Sequence, residues 1–317
     1  VDNCIKPKFV FIILQTRIHR GENVKKSIMS LTTAAALVCA LVTGCGTAAS
    51  SDNTVSSTNT TSNTANAGAA SISGTKTSAL GLNAVVNPNA MPKPGQVVIA
   101  VDDTYPPMEY TDPSNPNKLI GFDIDLGDAL AKYLHEKVVW KPTSFDGIVE
   151  GLKAGKYDMV ISTLNDTPQR EKQIDFVDYM SFGQVIVVKK GHAGNIKTIA
   201  DLKGKKVGVE IGTTSQDALQ KEGGIDVKEY NTFPDAFQDL ADGRLAACVV
   251  DEVVGRYYVN LQPNNYQIAG KPFLSEPVGI GINKKNASLD AKVKKAIAQM
   301  KKDGTYNKIY TYWFGAQ

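Results

Sequence analysis

Among the charged side chains of this sequence, Asp102, Arg170 and Asp251 are the ones suited to hold a small charged molecule. A guanidinium presents five donors in a planar fork that matches a carboxylate, and an aspartate matches an ammonium. Arg170 and Asp251 therefore suit the two ends of a zwitterion such as the head of a free amino acid, and the pair Asp102-Asp103 suits a cationic or amide side chain. Hydroxyls and amides gather in residues 162–165 (Ser162, Thr163, Leu164, Asn165) and 212–215 (Gly212, Thr213, Thr214, Ser215), with aromatic rings at Tyr105 and Phe145. Each element has an ordinary alternative. Arg170 fits a surface ion pair, Asp251 a helix cap, the two aromatics a rim and a core, and Gly212-Thr213-Thr214 any strand-to-helix turn.

Other chemistries lack their residues. There is no GxxxxGK phosphate loop, no GxGxxG dinucleotide turn and no GxSxG nucleophile elbow. His135 and His192 stand alone, without cysteine or carboxylate neighbours at ligand spacing, so neither a metal nor a cofactor is expected. An enzymatic reading has only Asp102 or Glu109 to offer as acid or base, and the chain is read as a non-enzyme.

The elements that must position these residues follow an α/β grammar. Residues 97–101 read as a buried strand, and the two prolines after Tyr105 force a loop. Asp123 is placed to cap a helix whose apolar stripe is Leu126, Ala129, Leu130, Tyr133 and Leu134. Residues 138–140 form a second strand, Ser144 caps a second helix ending near Gly155, and residues 157–161 form a third strand. Thr167-Pro168 reads as a cap followed by a first-turn proline, which fixes Arg170 beside the third strand's end. The grammar repeats from residue 206, with Thr213 and Gln216, then Thr232 and Asp235, in capping-box spacing, and a strand over 247–250. A last amphipathic helix carries Leu289, Val293, Ala296, Ile297 and Met300 and stops at Gly304. In open α/β sheets, ligands bind beyond the carboxyl ends of the strands, and that rule selects Asp102, residues 162–165, residues 212–215 and Asp251 as the lips of one cleft.

Upstream, Lys25-Lys26, an apolar run over 28–42 and Leu41-Val42-Thr43-Gly44-Cys45 read as a lipoprotein signal. The run is fifteen residues, short of the roughly 20 needed to span a bilayer. Residues 1–44 are therefore assigned to an upstream extension and signal, and Cys45 to lipidation and membrane attachment outside the cytoplasm. Six of the 35 basic residues and two of the 32 acidic ones precede Cys45, so the formal charge of +3 falls to about −1 beyond it. No charge remains to argue for nucleic acid. Residues 45–94, rich in Ser, Thr, Asn and Ala, read as a disordered tether. The body is divided into a first lobe of residues 95–185 plus 281–317 and a second of 190–276, with crossovers at 186–189 and 277–280. Cys248, alone in that body, reads as a buried small hydrophobe.

Several segments together are similar to a known family. Gly121-Phe122-Asp123-Ile124-Asp125-Leu126, Phe145-Asp146-Gly147-Ile148, Thr167-Pro168-Gln169-Arg170-Glu171-Lys172, Ile174-Asp175-Phe176, the stretch from Gly204 to Thr214, and Asp303-Gly304-Thr305-Tyr306 resemble the polar amino acid solute-binding proteins of ABC importers, the family 3 extracellular binding proteins. The likeness runs in order over residues 95–314. It implies a periplasmic-binding-protein-like fold, two α/β lobes joined by two crossover strands (a type II binding protein), acting as a monomer that hands an amino acid to a membrane permease. By the same resemblance Tyr105 and Phe145 lie against the ligand, and Arg170, helped by Thr214, binds the α-carboxylate; Ser215, beside Thr214, is a further ligand-binding candidate. Ser162, Thr163 and Asn165 receive the head group, Asp251 takes the α-ammonium, and Asp102 meets a cationic side chain. Asn165 stands where many members have serine or threonine, and Asp166 replaces an apolar residue.

Overall fold

Strands of valine, isoleucine and alanine alternate with helices that carry one apolar face, and a computed structural model, which describes residues 76–316, resolves them into one sheet system. In chain order the elements are β1 (Gln96–Val101), β2 (Thr104–Tyr105), β3 (Glu109–Asp112), β4 (Asn115–Ile120), α1 (Phe122–Leu134), β5 (Lys137–Pro142), α2 (Ile148–Lys153), β6 (Met159–Val160), α3 (Pro168–Glu171) and β7 (Asp175–Lys189). There follow a 3-10 turn (Ile199–Leu202), β8 (Lys206–Glu210), α4 (Thr214–Glu222), β9 (Asp226–Tyr230), α5 (Phe233–Ala241), β10 (Ala247–Asp251), α6 (Glu252–Leu261), β11 (Tyr266–Ile282), α7 (Ala287–Lys302) and α8 (Thr305–Phe314). The signal segment and Cys45 lie outside the described residues.

The eight-stranded sheet runs β5-β1-β6-β11-β7-β10-β8-β9. β1 pairs in parallel with β5 and β6, and β8 in parallel with β9 and β10. The long antiparallel pair β7 and β11 joins these two trios. Each trio with its helices is one lobe, and β7 and β11 are the two crossover strands. Both lobes bury apolar strands fully: residues Val98 to Val101 and Val249 to Val250 are 0% exposed. Parallel strands covered on both faces need such runs.

The structure moves several expected boundaries. Residues 184–187 of β7 pair with β10 and so already belong to the second lobe, ahead of the crossover expected at 186–189. That apolar run is a central strand covered on both sides. Residues 277–280 pair with the first half of β7 and so lie on the first-lobe side. The irregular register between Ala269 and Glu276 marks the change of lobe instead, since unpaired bulge residues bend a strand. Asp123 lies inside α1, which starts after Gly121, and Gly147 rather than Ser144 precedes α2. The small antiparallel sheet β2-β3-β4 and helix α8 have no counterpart in the sequence expectation. α8 is held by its own stripe of Tyr306, Ile309 and Trp313, and its Tyr306 and Phe314 rings pack on Phe122 of α1 at 5.9 and 5.3 Å. α7 and α8 return the chain to the first lobe through contacts with α1.

The expected tether is shorter than residues 45–94, because residues 76–90 dock on the first lobe. Val86 forms a parallel bridge with Trp140 at the outer edge of β5, and the Trp140 amide donates to the Val85 carbonyl at 2.8 Å. An otherwise bare sheet edge is thereby covered. Further upstream, buried Asp125 accepts from Ser78 Oγ (2.5 Å), the Ala79 amide (2.7 Å) and Trp313 Nε1 (2.7 Å). Composition marked this stretch as tether, yet one carboxylate, one strand edge and the Lys76 ammonium on the Tyr312 and Trp313 carbonyls hold it. Replacing Asp125 by alanine strands the buried Trp313 N–H. Asp125→Ala is expected to lower the unfolding free energy by about 1–3 kcal/mol. Hydrogen exchange should show protection lost at residues 78–87, and unchanged exchange there would refute the docking.

Candidate functional site

The carboxyl ends of β1, β6, β8 and β10 meet between the lobes. Directly after β1, the Asp102 carboxylate is fixed by the chain around it: Oδ1 accepts from the Thr104 amide (3.0 Å) and hydroxyl (2.6 Å), and Oδ2 from the Phe145 amide (3.0 Å). Burial raises its pKa above the usual aspartate value against those hydrogen bonds. After β6, Thr163 adopts a left-handed φ of 46°, a conformation costly for a β-branched residue. A buried acidic pair holds it there. The Thr163 amide donates to Asp123 Oδ2 at 2.8 Å, and the Thr163 hydroxyl donates to Glu109 Oε2 at 2.9 Å. Tyr179 donates its hydroxyl to the same Asp123 oxygen at 2.8 Å. Burial pushes Asp123 up to about 6, and burial with the facing Asp123 charge pushes Glu109 well above the normal range, so the pair retains a proton near neutrality.

On the second lobe, Gly212 (φ 80°) turns the chain from β8 into α4. Thr213 caps that helix by accepting from the Gln216 amide at 3.3 Å, and the Gln216 side chain accepts from the Gly212 amide at 2.8 Å. The first-turn amides of Thr214 and Ser215 have no acceptor within the helix and suit an anion. Asp251 occupies the position before α6 but makes no side-chain cap. It faces the cleft and accepts from the Tyr105 hydroxyl at 2.8 Å; burial pushes its pKa up to about 7.

Tyr105 and Asp251 belong to different lobes, so their hydrogen bond closes the cleft. Two further contacts do the same. The Thr214 hydroxyl donates to Asn165 Oδ1 at 3.2 Å, and Arg170 Nη2 donates to the Gly212 carbonyl at 3.0 Å. A small cavity remains between the lobes. Asp102, Tyr105, Phe145, Ser162, Thr163, Asn165, Thr214, Ser215 and Asp251 all line it. Arg170 does not. Its guanidinium lies at the mouth, partly buried, 5.6 Å from the Phe145 ring centroid, and donates to the carbonyls of Asn165 (2.9 Å) and Gly212. Burial lowers its pKa while Asp217, Glu276, Asp251 and Asp166 act to raise it.

One lining residue, Glu210, was not among the sequence candidates; Thr213 was named only within the 212–215 lip and Glu109 only as an acid or base of an enzymatic reading. Glu210 was readable as a carboxylate at the end of the apolar strand 206–210, one step short of the glycine turn that drew attention. Glu109 and Asp102 reach the wall from the first lobe, Glu210 and Asp251 from the second. Four carboxylates thus meet a lining that, among the described residues, contains no lysine, arginine or histidine. Cys248 is buried away from this wall, its thiol pushed up by burial.

Comparison with known proteins agrees with this geometry. Residues 97–316 match the family described as bacterial extracellular solute-binding proteins, family 3. The L-cystine-binding protein TcyJ of Escherichia coli is 36% identical over 230 residues, covering 72% of this chain and 86% of that protein. An ancestral arginine-binding protein solved with arginine is 47% identical, with a TM-score of 0.66 over 70% of this chain and 99% of its own. The ancestral amino acid-binding protein AncCDT-1, a precursor of cyclohexadienyl dehydratase, is 40% identical, with a TM-score of 0.65 over 69% and 96%. A two-lobed α/β body, a cleft at the strand ends and a match over the whole of both lobes lead to one conclusion: this chain belongs to the family 3 bacterial extracellular solute-binding proteins.

Proposed function

We propose that this protein captures a free amino acid with a cationic side chain outside the cytoplasm and presents it to the permease of an ABC importer, without chemical conversion. The observation that carries the reading is the lining of the closed cavity: four carboxylates from both lobes, no basic side chain, and an anion-ready helix start at one end. A zwitterion with an additional positive charge supplies what such a wall lacks. Charges taken from water need partners, so a ligand without them is penalised. Asp251 then meets the α-ammonium, while Thr214, Ser215 and Arg170 meet the α-carboxylate. The carbonyls that hold Arg170 in the structure are neutral acceptors, and a carboxylate is the stronger partner for a guanidinium. Because these groups lie on both lobes, the ligand favours closure by binding that state better than the open one. The binding reading is also supported by the two acids a converting enzyme would use. Asp102 and Glu109 are both occupied by hydrogen bonds that hold the loops around them. Attachment to the membrane through lipid on Cys45, and action as a monomer, belong to the same reading.

Arg170→Ala is expected to weaken amino acid binding by about 2–5 kcal/mol, the range for leaving a buried charge without its partner. Calorimetry reads this directly, and an unchanged affinity removes Arg170 from the site. In a competition screen, lysine or arginine should displace glutamate. A preference for glutamate would defeat the cationic assignment while leaving amino acid capture standing.

A further inference from the structure

We propose that Glu210 is the second-lobe half of a carboxylate clamp, with Asp102 the first-lobe half, which grips the cationic end of the ligand's side chain and makes closure of the lobes depend on that charge. The inference rests on the amino acid reading above and names the residue that selects within it.

Glu210 ends β8 at 2% exposure, and its Oε1 is buried without a hydrogen-bond partner. A carboxylate kept for structure is normally satisfied by donors on both oxygens, as Asp125 is. The group that Glu210 meets across the lobe boundary is the carboxylate of Asp102. The other groups facing Glu210 are the carboxylate of Asp251 and the phenols of Tyr105 and Tyr258, and Asp103 and Glu109 act on Asp102. None of these is a cation. Arg170, at the mouth, is committed to two carbonyls. The protein therefore brings two acids together from separate lobes and provides no positive charge for them.

Two carboxylates removed from water together cannot both stay ionised. One positive charge must enter with closure, either as a proton or as the ligand's guanidinium or ammonium. In the closed protein burial, followed by the Asp102 charge, pushes Glu210 up to about 10, the proton-bound solution. A cationic side chain makes that proton unnecessary. The sign follows: closing on a neutral ligand of the same shape takes up about one more proton than closing on the cation, whatever the conformation before binding. Lower pH thus favours neutral ligands relative to cationic ones, and higher pH the reverse. Asp102 is the rigid half, fixed by Thr104 and Phe145, and Glu210 has the free oxygen.

The test pairs L-arginine with L-citrulline, and L-lysine with L-norleucine, in titration calorimetry on the wild-type chain and on Glu210→Gln. The wild type should prefer the cation of each pair, and the variant should narrow that preference about 30-fold or more while binding the neutral partner as well or better. Measured in buffers of different ionisation enthalpy at pH 7, the neutral ligand should take up about one more proton than its cationic partner. Equal proton counts in the wild type overturn the clamp, as does an unchanged preference in a variant that melts at the wild-type temperature. If Glu210→Gln fails to fold, the wild-type proton count decides alone. A wild type that binds none of the four defeats the cationic-ligand reading on which the clamp rests. One that binds cationic and neutral partners alike defeats only the clamp.

Discussion

Removing like charges from water is the constraint around which this molecule is arranged. Asp102, Glu109, Glu210 and Asp251 line one cavity, and in each case burial is the first cause of a raised pKa. A sheet on which all four lay side by side would keep them apart or wet. Division into two lobes places two of the acids on each side of the cleft.

The supporting layer uses the same physics to a different end. Glu109 and Asp123, one on a short strand and one inside α1, hold the Thr163 turn in a conformation its own side chain disfavours. Strain of this kind persists where surrounding contacts over-determine it. The hydroxyls and amides of residues 162–165 are thus held in place by buried partners while they face the cavity. Tyr179, reaching in from crossover strand β7, ties this layer to the strand that changes lobe.

Much of this was legible in the chain. Apolar runs bounded by glycine and threonine mark the strands, and the rule that ligands gather beyond strand ends selected residues that line one cavity. What escaped was set by tertiary context. Asp123 has the right type for a helix cap, yet Thr163 and Tyr179, 40 and 56 positions away, claim its carboxylate. Glu210 carried no signal of its partner in the chain because the group opposite it comes from another lobe. Arg170 matches a carboxylate in isolation, but its position at the mouth depends on the two carbonyls within reach. The docking of residues 76–90 was masked by their composition, since pairing with the β5 edge needs backbone rather than distinctive side chains.

The insertion of one lobe between β7 and β11 also fixes an order of assembly. Strand β6 finds its antiparallel neighbour only in Gly281 and Ile282, and α1 receives α7 and α8 later still. The second lobe, by contrast, has its full set of strands once Ala269 is available beside β7. A chain emerging from its amino end can therefore finish the later half first. The earlier half stays unsealed, its core open on one side, until the final helices arrive to cover it.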